Sequence, residues 1–67
     1  MQRRQDFREA MRRRIREVAV SRDLSYDDIK RVLTLKHHEI TRFSQEHDVY
    51  IEWLLEGKGR IFRKARL

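Results

Sequence analysis

Residues 25–43 decide the fold, and they read Ser25-Tyr26-Asp27-Asp28-Ile29-Lys30-Arg31-Val32-Leu33-Thr34-Leu35-Lys36-His37-His38-Glu39-Ile40-Thr41-Arg42-Phe43. Ser25 and Asp28 have the spacing of a capping box, in which the hydroxyl accepts from the third amide and the carboxylate reaches back. Apolar side chains then recur at the spacing of one helix face. The stretch predicts a helix over 26–33, a tight turn at 34–35 with Leu35 as an apolar plug, and a second helix over 36–47.

Two further helices are predicted outside this stretch. An apolar stripe at helical spacing predicts an amphipathic helix over about 6–22, and it consists of Phe7, Met11, Ile15, Val18 and Ala19. A short apolar helix is predicted over 50–56, with Trp53 in the core and Gly57 as its left-handed end. Breaks are expected at 23–24 and 48–49. No segment alternates as a strand does, so the predicted fold class is all-α.

These elements predict one compact four-helix helix-turn-helix domain over 1–57, followed by a basic C-terminal tail over 58–67. Ile61 and Phe62 form the only apolar pair of the tail, and we expect them to contact a partner chain or to fold back. On the first helix, Glu9 and Arg13 are expected to form an ion pair because they are four residues apart.

The composition excludes several classes of protein. The chain has 67 residues, 42% of them charged and 39% apolar, with no cysteine. Neither a disulfide nor a thiolate metal site can therefore support the thin core, and the longest apolar run, 53–55, is too short for a membrane span. A small core rarely holds a concave site, so no enzyme, catalytic residue, metal, cofactor or small-molecule ligand is predicted. The Arg-rich start lacks the apolar segment of a secretory signal, and a cytoplasmic, nucleoid-associated location is expected.

The charge is unevenly distributed along the chain. Residues 1–16 carry +5, residues 17–57 carry −4 and residues 58–67 carry +5, which sums to the formal net charge of +6. Basic clusters indicate a polyanionic partner, because neutralising phosphates releases their condensed counterions. The alternative is that these ends are solvated and only keep the chain soluble.

Residues 25–43 resemble the helix-turn-helix of the phage-repressor (Cro/cI-like, XRE) family. The matching cap and apolar positions are Ser25, Ile29, Leu33, Leu35, Ile40 and Phe43. Residues 46–57 resemble the closing helix of the same family through the run Trp53-Leu54-Leu55-Glu56-Gly57. The resemblance covers about half the chain, and it implies a DNA-binding transcription regulator, commonly a homodimer.

The sequence departs from the family pattern at several points. Thr34 replaces the usual turn glycine, Lys36 the usual serine cap, and Tyr26 a glutamine that often touches DNA. The chain also has room for one helix fewer. The helix over 36–47 is therefore either the recognition helix, which the ungapped match of 25–43 favours, or the penultimate helix of the family.

The predicted interface with double-stranded DNA centres on the helix over 36–47. Arg42 is expected to read guanine or hold a phosphate, and Thr41 to contact a phosphate or a thymine methyl. Glu39 is expected to cap the helix rather than read cytosine. The complete set of predicted contacts is Tyr26, Lys30, Arg31, Lys36, His37, His38, Glu39, Thr41, Arg42, Lys58, Arg60, Arg63 and Lys64.

Two other functions remain open from the sequence. The acidic centre of the chain and the altered cap residues favour a protein-interaction module or an antitoxin-like adaptor on a helix-turn-helix scaffold. An RNA-binding protein could instead use the Arg-rich N-terminus, folding on contact. Under each of these functions a homodimer is expected, because association would enlarge the thin core.

Overall fold

The computed structural model describes residues 3–63 of the chain. In order, the elements are α1 (Arg3–Arg22), α2 (Tyr26–Ile29), a 3₁₀ turn (Val32–Thr34), α3 (His37–Glu46) and α4 (Ile51–Glu56). Over this range the only β-type pairing is a single antiparallel bridge between Val49 and Phe62. The predicted all-α fold with four helices is confirmed.

The apolar stripe of α1 forms one side of the core. Met11, Ile15, Val18 and Ala19 are buried as predicted, whereas Phe7 is half exposed. The expectation that Phe7 packs with the rest of the stripe is wrong, since Phe7 instead lines an open groove beside Met11. The remaining buried apolar residues come from every other element and are Ile29, Val32, Ile40, Phe43, Val49, Trp53 and Leu54.

Helices α1 and α3 end in the same way. Asp23 and Asp48 adopt left-handed backbone angles, with φ of 57° and 54°. The amide that follows each aspartate donates to a carbonyl five residues back, from Leu24 to Ala19 at 2.8 Å and from Val49 to Ser44 at 2.9 Å. These are the bonds of the Schellman motif, which pairs them with an apolar contact across the helix end. The breaks predicted at 23–24 and 48–49 are therefore confirmed, and each has a local cause.

The helix predicted over 26–33 is shorter than expected. Its start is correct, since Ser25 and Asp28 form the complete capping box. However, α2 ends at Ile29, and the chain continues through a turn into the 3₁₀ segment. The Thr34 hydroxyl donates to the Arg31 carbonyl at 2.6 Å, and Leu35 closes the turn with a φ of 64°. Side-chain bonds of this kind compete with helical ones, so the segment tightens instead of continuing.

The C-terminal segment folds back on the body. The Tyr50 amide donates to the Ile61 carbonyl at 2.8 Å, and the Arg63 amide donates to the Asp48 carbonyl at 2.7 Å. The Arg22 guanidinium lies 4.0 Å from the centroid of the Phe62 ring, which is a cation–π contact. Of the two outcomes expected for Ile61 and Phe62, the structure shows folding back.

Helix α4 packs on α1 and ends at a left-handed glycine. Trp53 and Leu54 are buried, which confirms the core position predicted for Trp53. Gly57 has a φ of 74°, and a Cβ at this position would lie 2.8 Å from Nη2 of Arg14. Only glycine meets both conditions without strain. Over the described residues, none of the helices is both long and apolar enough to cross a membrane.

Candidate nucleic-acid interface

Helix α3 separates an apolar face from a polar one. Ile40, Phe43 and Ser44 are buried, and the Ser44 hydroxyl donates to the Thr41 carbonyl at 2.9 Å. On the opposite side, three exposed residues at helical spacing share one face, and we call them the outward face of α3: His38, Arg42 and Gln45. Because the buried face fixes the rotation of the helix, the outward face has a defined direction relative to the body.

Gln45 is not among the DNA contacts predicted from the sequence. Its position three residues after Arg42 and seven after His38 would have placed it on the same face. Thr41, which was predicted to contact DNA, is only half-buried and lies at the edge of this face. A glutamine amide and an arginine guanidinium are both able to form paired hydrogen bonds with a base edge.

The N-terminus of α3 is open. Lys36 precedes it in an extended conformation, and no side chain caps the helix. The Glu39 and Ile40 amides donate to the Lys36 carbonyl, which leaves the amides of His37 and His38 as the unpaired donors of the first turn. The prediction that Glu39 caps α3 is wrong. Its carboxylate lies 3.3 Å from Nε2 of the neighbouring His38 instead.

A groove between α2 and α3 brings together three of the predicted basic contacts. Lys30, Arg31 and Arg42 line it, but so do four carboxylates, those of Asp27, Asp28, Glu39 and Glu46. Lys30 lies 3.5 Å from Asp27 in an exposed ion pair. The groove therefore has no net positive charge, and phosphates are not expected to bind in it.

The carboxylate of Asp28 is stabilised at the start of α2. The Ser25 amide donates to it at 2.8 Å and the Ser25 hydroxyl at 3.1 Å. The backbone hydrogen bond from Ser25, followed by the hydroxyl bond, lowers the pKa of Asp28 below its ordinary value of 3.8. Tyr26 begins α2 with its side chain exposed, so the ring is accessible as the sequence predicts.

Arginines of α1 are divided between structural and solvent-exposed positions. Arg12 Nε donates to the Leu33 carbonyl and Arg14 Nη1 to the Leu54 carbonyl, each at 3.0 Å. Arg13 and Arg16 are exposed. The expected pair of Glu9 with Arg13 is wrong, because Glu9 instead contacts Arg12 at 3.0 Å. The bond to the Leu33 carbonyl holds Arg12 on that side of α1, within reach of Glu9.

The predicted contacts at the C-terminal end have two different surroundings. Lys58 and Arg60 are exposed. Arg63 instead holds the folded-back segment, since its Nη2 donates to the Ser44 carbonyl at 3.4 Å and lies 3.8 Å from Asp48. Lys64 lies outside the described residues. Of this group, Lys58 and Arg60 are the side chains that the structure leaves unengaged.

The predicted site residues do not all meet on one surface. Lys30, Arg31, Glu39 and Arg42 share the groove between α2 and α3. His37, only two residues from Glu39, faces a different groove beside α1. The search against models of known protein families, against curated proteins and against solved structures gave no match.

Proposed function

We propose that the protein is a small sequence-specific DNA-binding transcriptional regulator that inserts the outward face of α3 into the major groove. The observation that carries the proposal is this face itself. Three side chains able to hydrogen-bond base edges stand on a helix whose opposite side is buried. A functional side chain is most precise when a packed element holds it. An α-helix also fits the width of the major groove.

The open N-terminus of α3 supports a phosphate contact beside the base contacts. Two free amides and the positive end of the helix dipole favour an anion there. Lys36, exposed at the same end, adds a cation. A phosphate at this point would fix the register of α3 on the duplex, while the outward face reads bases.

Carboxylates restrict the direction of approach. Asp27, Asp28, Glu39 and Glu46 line the groove between α2 and α3, and they would repel a phosphate backbone laid along it. The duplex is therefore expected to approach from the N-terminal end of α3. Lys58 and Arg60, which are exposed, supply sequence-independent affinity to the phosphates.

Selection from a pool of random DNA duplexes tests the proposal directly. We expect one sequence to be enriched, and a scrambled duplex of the same composition to bind at least about tenfold more weakly. Affinity for the enriched duplex should fall linearly with salt on logarithmic axes. Two half-sites roughly one helical turn apart would support a homodimer.

Three results would contradict the proposal. The first is that no DNA sequence is enriched from the pool although the protein is folded. Folding is judged from the fluorescence emission of Trp53, the single tryptophan. The second is an affinity for the duplex that does not change with salt concentration. The third is a structured RNA that competes better than the enriched duplex, which would instead favour the RNA-binding alternative.

A further inference from the structure

A second groove lies between α1, α3 and α4, away from the outward face of α3. Its walls are apolar and consist of Phe7, Met11, Leu35, Ile40 and Leu55, and its volume is about 510 Å³. Phe7 is half exposed at the rim, although it is one of the largest apolar side chains of the protein. An apolar recess with a polar rim is typical of a protein-binding surface.

The one charged side chain that lines this groove is cationic. Arg8 and His37 are the polar residues that line it, and no carboxylate does. Lys36 is exposed next to His37 in the chain. Arginine is always cationic and binds carboxylates in a paired geometry, and a histidine ring N–H also donates to a carboxylate. The groove between α2 and α3 differs in charge, because four carboxylates line it.

We infer that this groove binds an acidic amphipathic helix of a partner protein. Apolar side chains of the partner, spaced on one helix face, would fill the recess between Phe7 and Leu55. Its flanking glutamates or aspartates would meet Arg8, Lys36 and His37. The interaction does not require DNA binding, and it fits the protein-interaction role that the sequence left open.

Charge argues against a second copy of the chain as the occupant. A symmetric dimer through this groove would bring the same surface of both subunits together. Arg8 and Lys36 of both copies would then lie in one interface, and like charges in contact suppress association. A homodimer formed elsewhere on the molecule is compatible with the groove remaining open.

Two labelled helical peptides provide the test. Both carry leucines at i, i+3 and i+7, but one has glutamates beside them and the other has lysines. Fluorescence anisotropy should show the glutamate peptide binding about tenfold tighter, since several rim contacts each contribute a few-fold. In the variant Arg8→Glu this preference should shrink or reverse. Arg13→Glu is the matched control, because Arg13 is exposed on α1 but does not line the groove.

Phe7→Ser tests the apolar contact separately. This variant should weaken the glutamate peptide at least fivefold, roughly the effect of losing one partly buried aromatic anchor. Because Phe7 and Arg8 are exposed, both variants should keep the native emission of Trp53. Equal affinity for the two peptides, no binding of either, or unchanged binding by Phe7→Ser would overturn the inference. So would sedimentation showing a dimer that Phe7→Ser dissociates, since a second copy would then occupy the groove.

Discussion

The α1–α4 pair and the α2–α3 unit are stabilised in different ways. Helices α1 and α4 pack on each other and contribute the fully buried Ile15, Val18 and Leu54, and Arg14 joins the two helices through its bond to the Leu54 carbonyl. In the α2–α3 unit, the short helix and the 3₁₀ turn depend on side-chain bonds to the backbone. Ser25 caps α2, and Thr34 bonds to the Arg31 carbonyl.

This difference separates stability from recognition. Burial of large aliphatic side chains contributes the most free energy of unfolding, and Ile15, Val18 and Leu54 of the α1–α4 pair are among the most fully buried. The α2–α3 unit also buries Ile29 and Val32, but the outward face of α3 takes no part in the core, so it is free to change without cost to the fold. The following predictions test that separation.

The largest effect is expected from Leu54→Ala, in the α1–α4 pair. Leu54 is 1% exposed, and a buried leucine truncated to alanine costs about 3 kcal/mol or more. A chain of this size has roughly 3–10 kcal/mol in total, so the variant should be largely unfolded on warming. Thermal unfolding followed by circular dichroism measures the change. Leu55→Ala, at a half-buried neighbour, is the control and should lose less. Equal midpoints for the wild type and Leu54→Ala would show that the core is not centred here.

In the α2–α3 unit, Arg42→Ala should affect binding and not stability. Loss of a paired contact to a base costs about 1–3 kcal/mol of discrimination, or roughly fivefold to 150-fold in the preference for the correct base. The preference at one base pair of the enriched duplex should relax, while the unfolding midpoint is unchanged. Lys58→Ala provides the contrast, because a phosphate contact weakens every duplex equally and lowers the salt slope by about one. If Arg42→Ala behaves like Lys58→Ala, the arginine holds a phosphate.

A smaller loss of stability is expected from Gly57→Ala at the end of α4. The left-handed backbone angle disfavours alanine, and the new Cβ would push against the guanidinium of Arg14. We expect a loss of about 1–2 kcal/mol, measured by urea unfolding. Gly59→Ala is the matched control. Gly59 also has a positive φ, of 81°, but a Cβ there meets no atom. A larger loss of stability in Gly59→Ala than in Gly57→Ala would mean that backbone strain, and not contact with Arg14, determines the effect of alanine at these positions.

The smallest effect concerns the cap of α2 and depends on pH. Because hydrogen bonds from Ser25 lower the pKa of Asp28 in the folded protein, its carboxylate stabilises the fold above its unfolded pKa. This contribution is lost as the pH falls through the folded pKa. Asp28→Asn should therefore be less stable than the wild type at neutral pH, and the two should converge at an acidic pH below the folded pKa. Urea unfolding at both pH values measures the difference. A constant difference would show that the charge of Asp28 is not involved.

Local signals in the sequence predicted most of the fold. The capping box at Ser25, the left-handed Gly57 and the breaks at Asp23 and Asp48 all act within a few residues, so the sequence pattern contains them. The length of α2 was overestimated, because the apolar spacing of Ile29, Val32 and Leu33 suits a 3₁₀ turn as well as a helix. The spacing pattern also could not show that the end of α1 leaves Phe7 exposed.

The candidate site depends more on tertiary contacts. Arg12 and Arg13 are adjacent and chemically identical, yet one bonds a carbonyl 21 residues away and the other is exposed. Arg63 is one of the predicted DNA contacts, and only folding brings it to Ser44 and Asp48, where it holds the C-terminal segment. No local pattern distinguishes these arginines, since their acceptors are carbonyls brought close only by folding.

By itself, then, the sequence determined the helical class, the ends of α1, α3 and α4 and the polar character of one face of α3. These properties follow from short-range hydrogen bonds and from the helical repeat of 3.6 residues. Only the tertiary structure decided which arginines are structural, that Ile61 and Phe62 fold back, and that an apolar groove with a basic rim opens beside α1. Each of these depends on residues distant in the chain, whose contacts exist only once the core has formed.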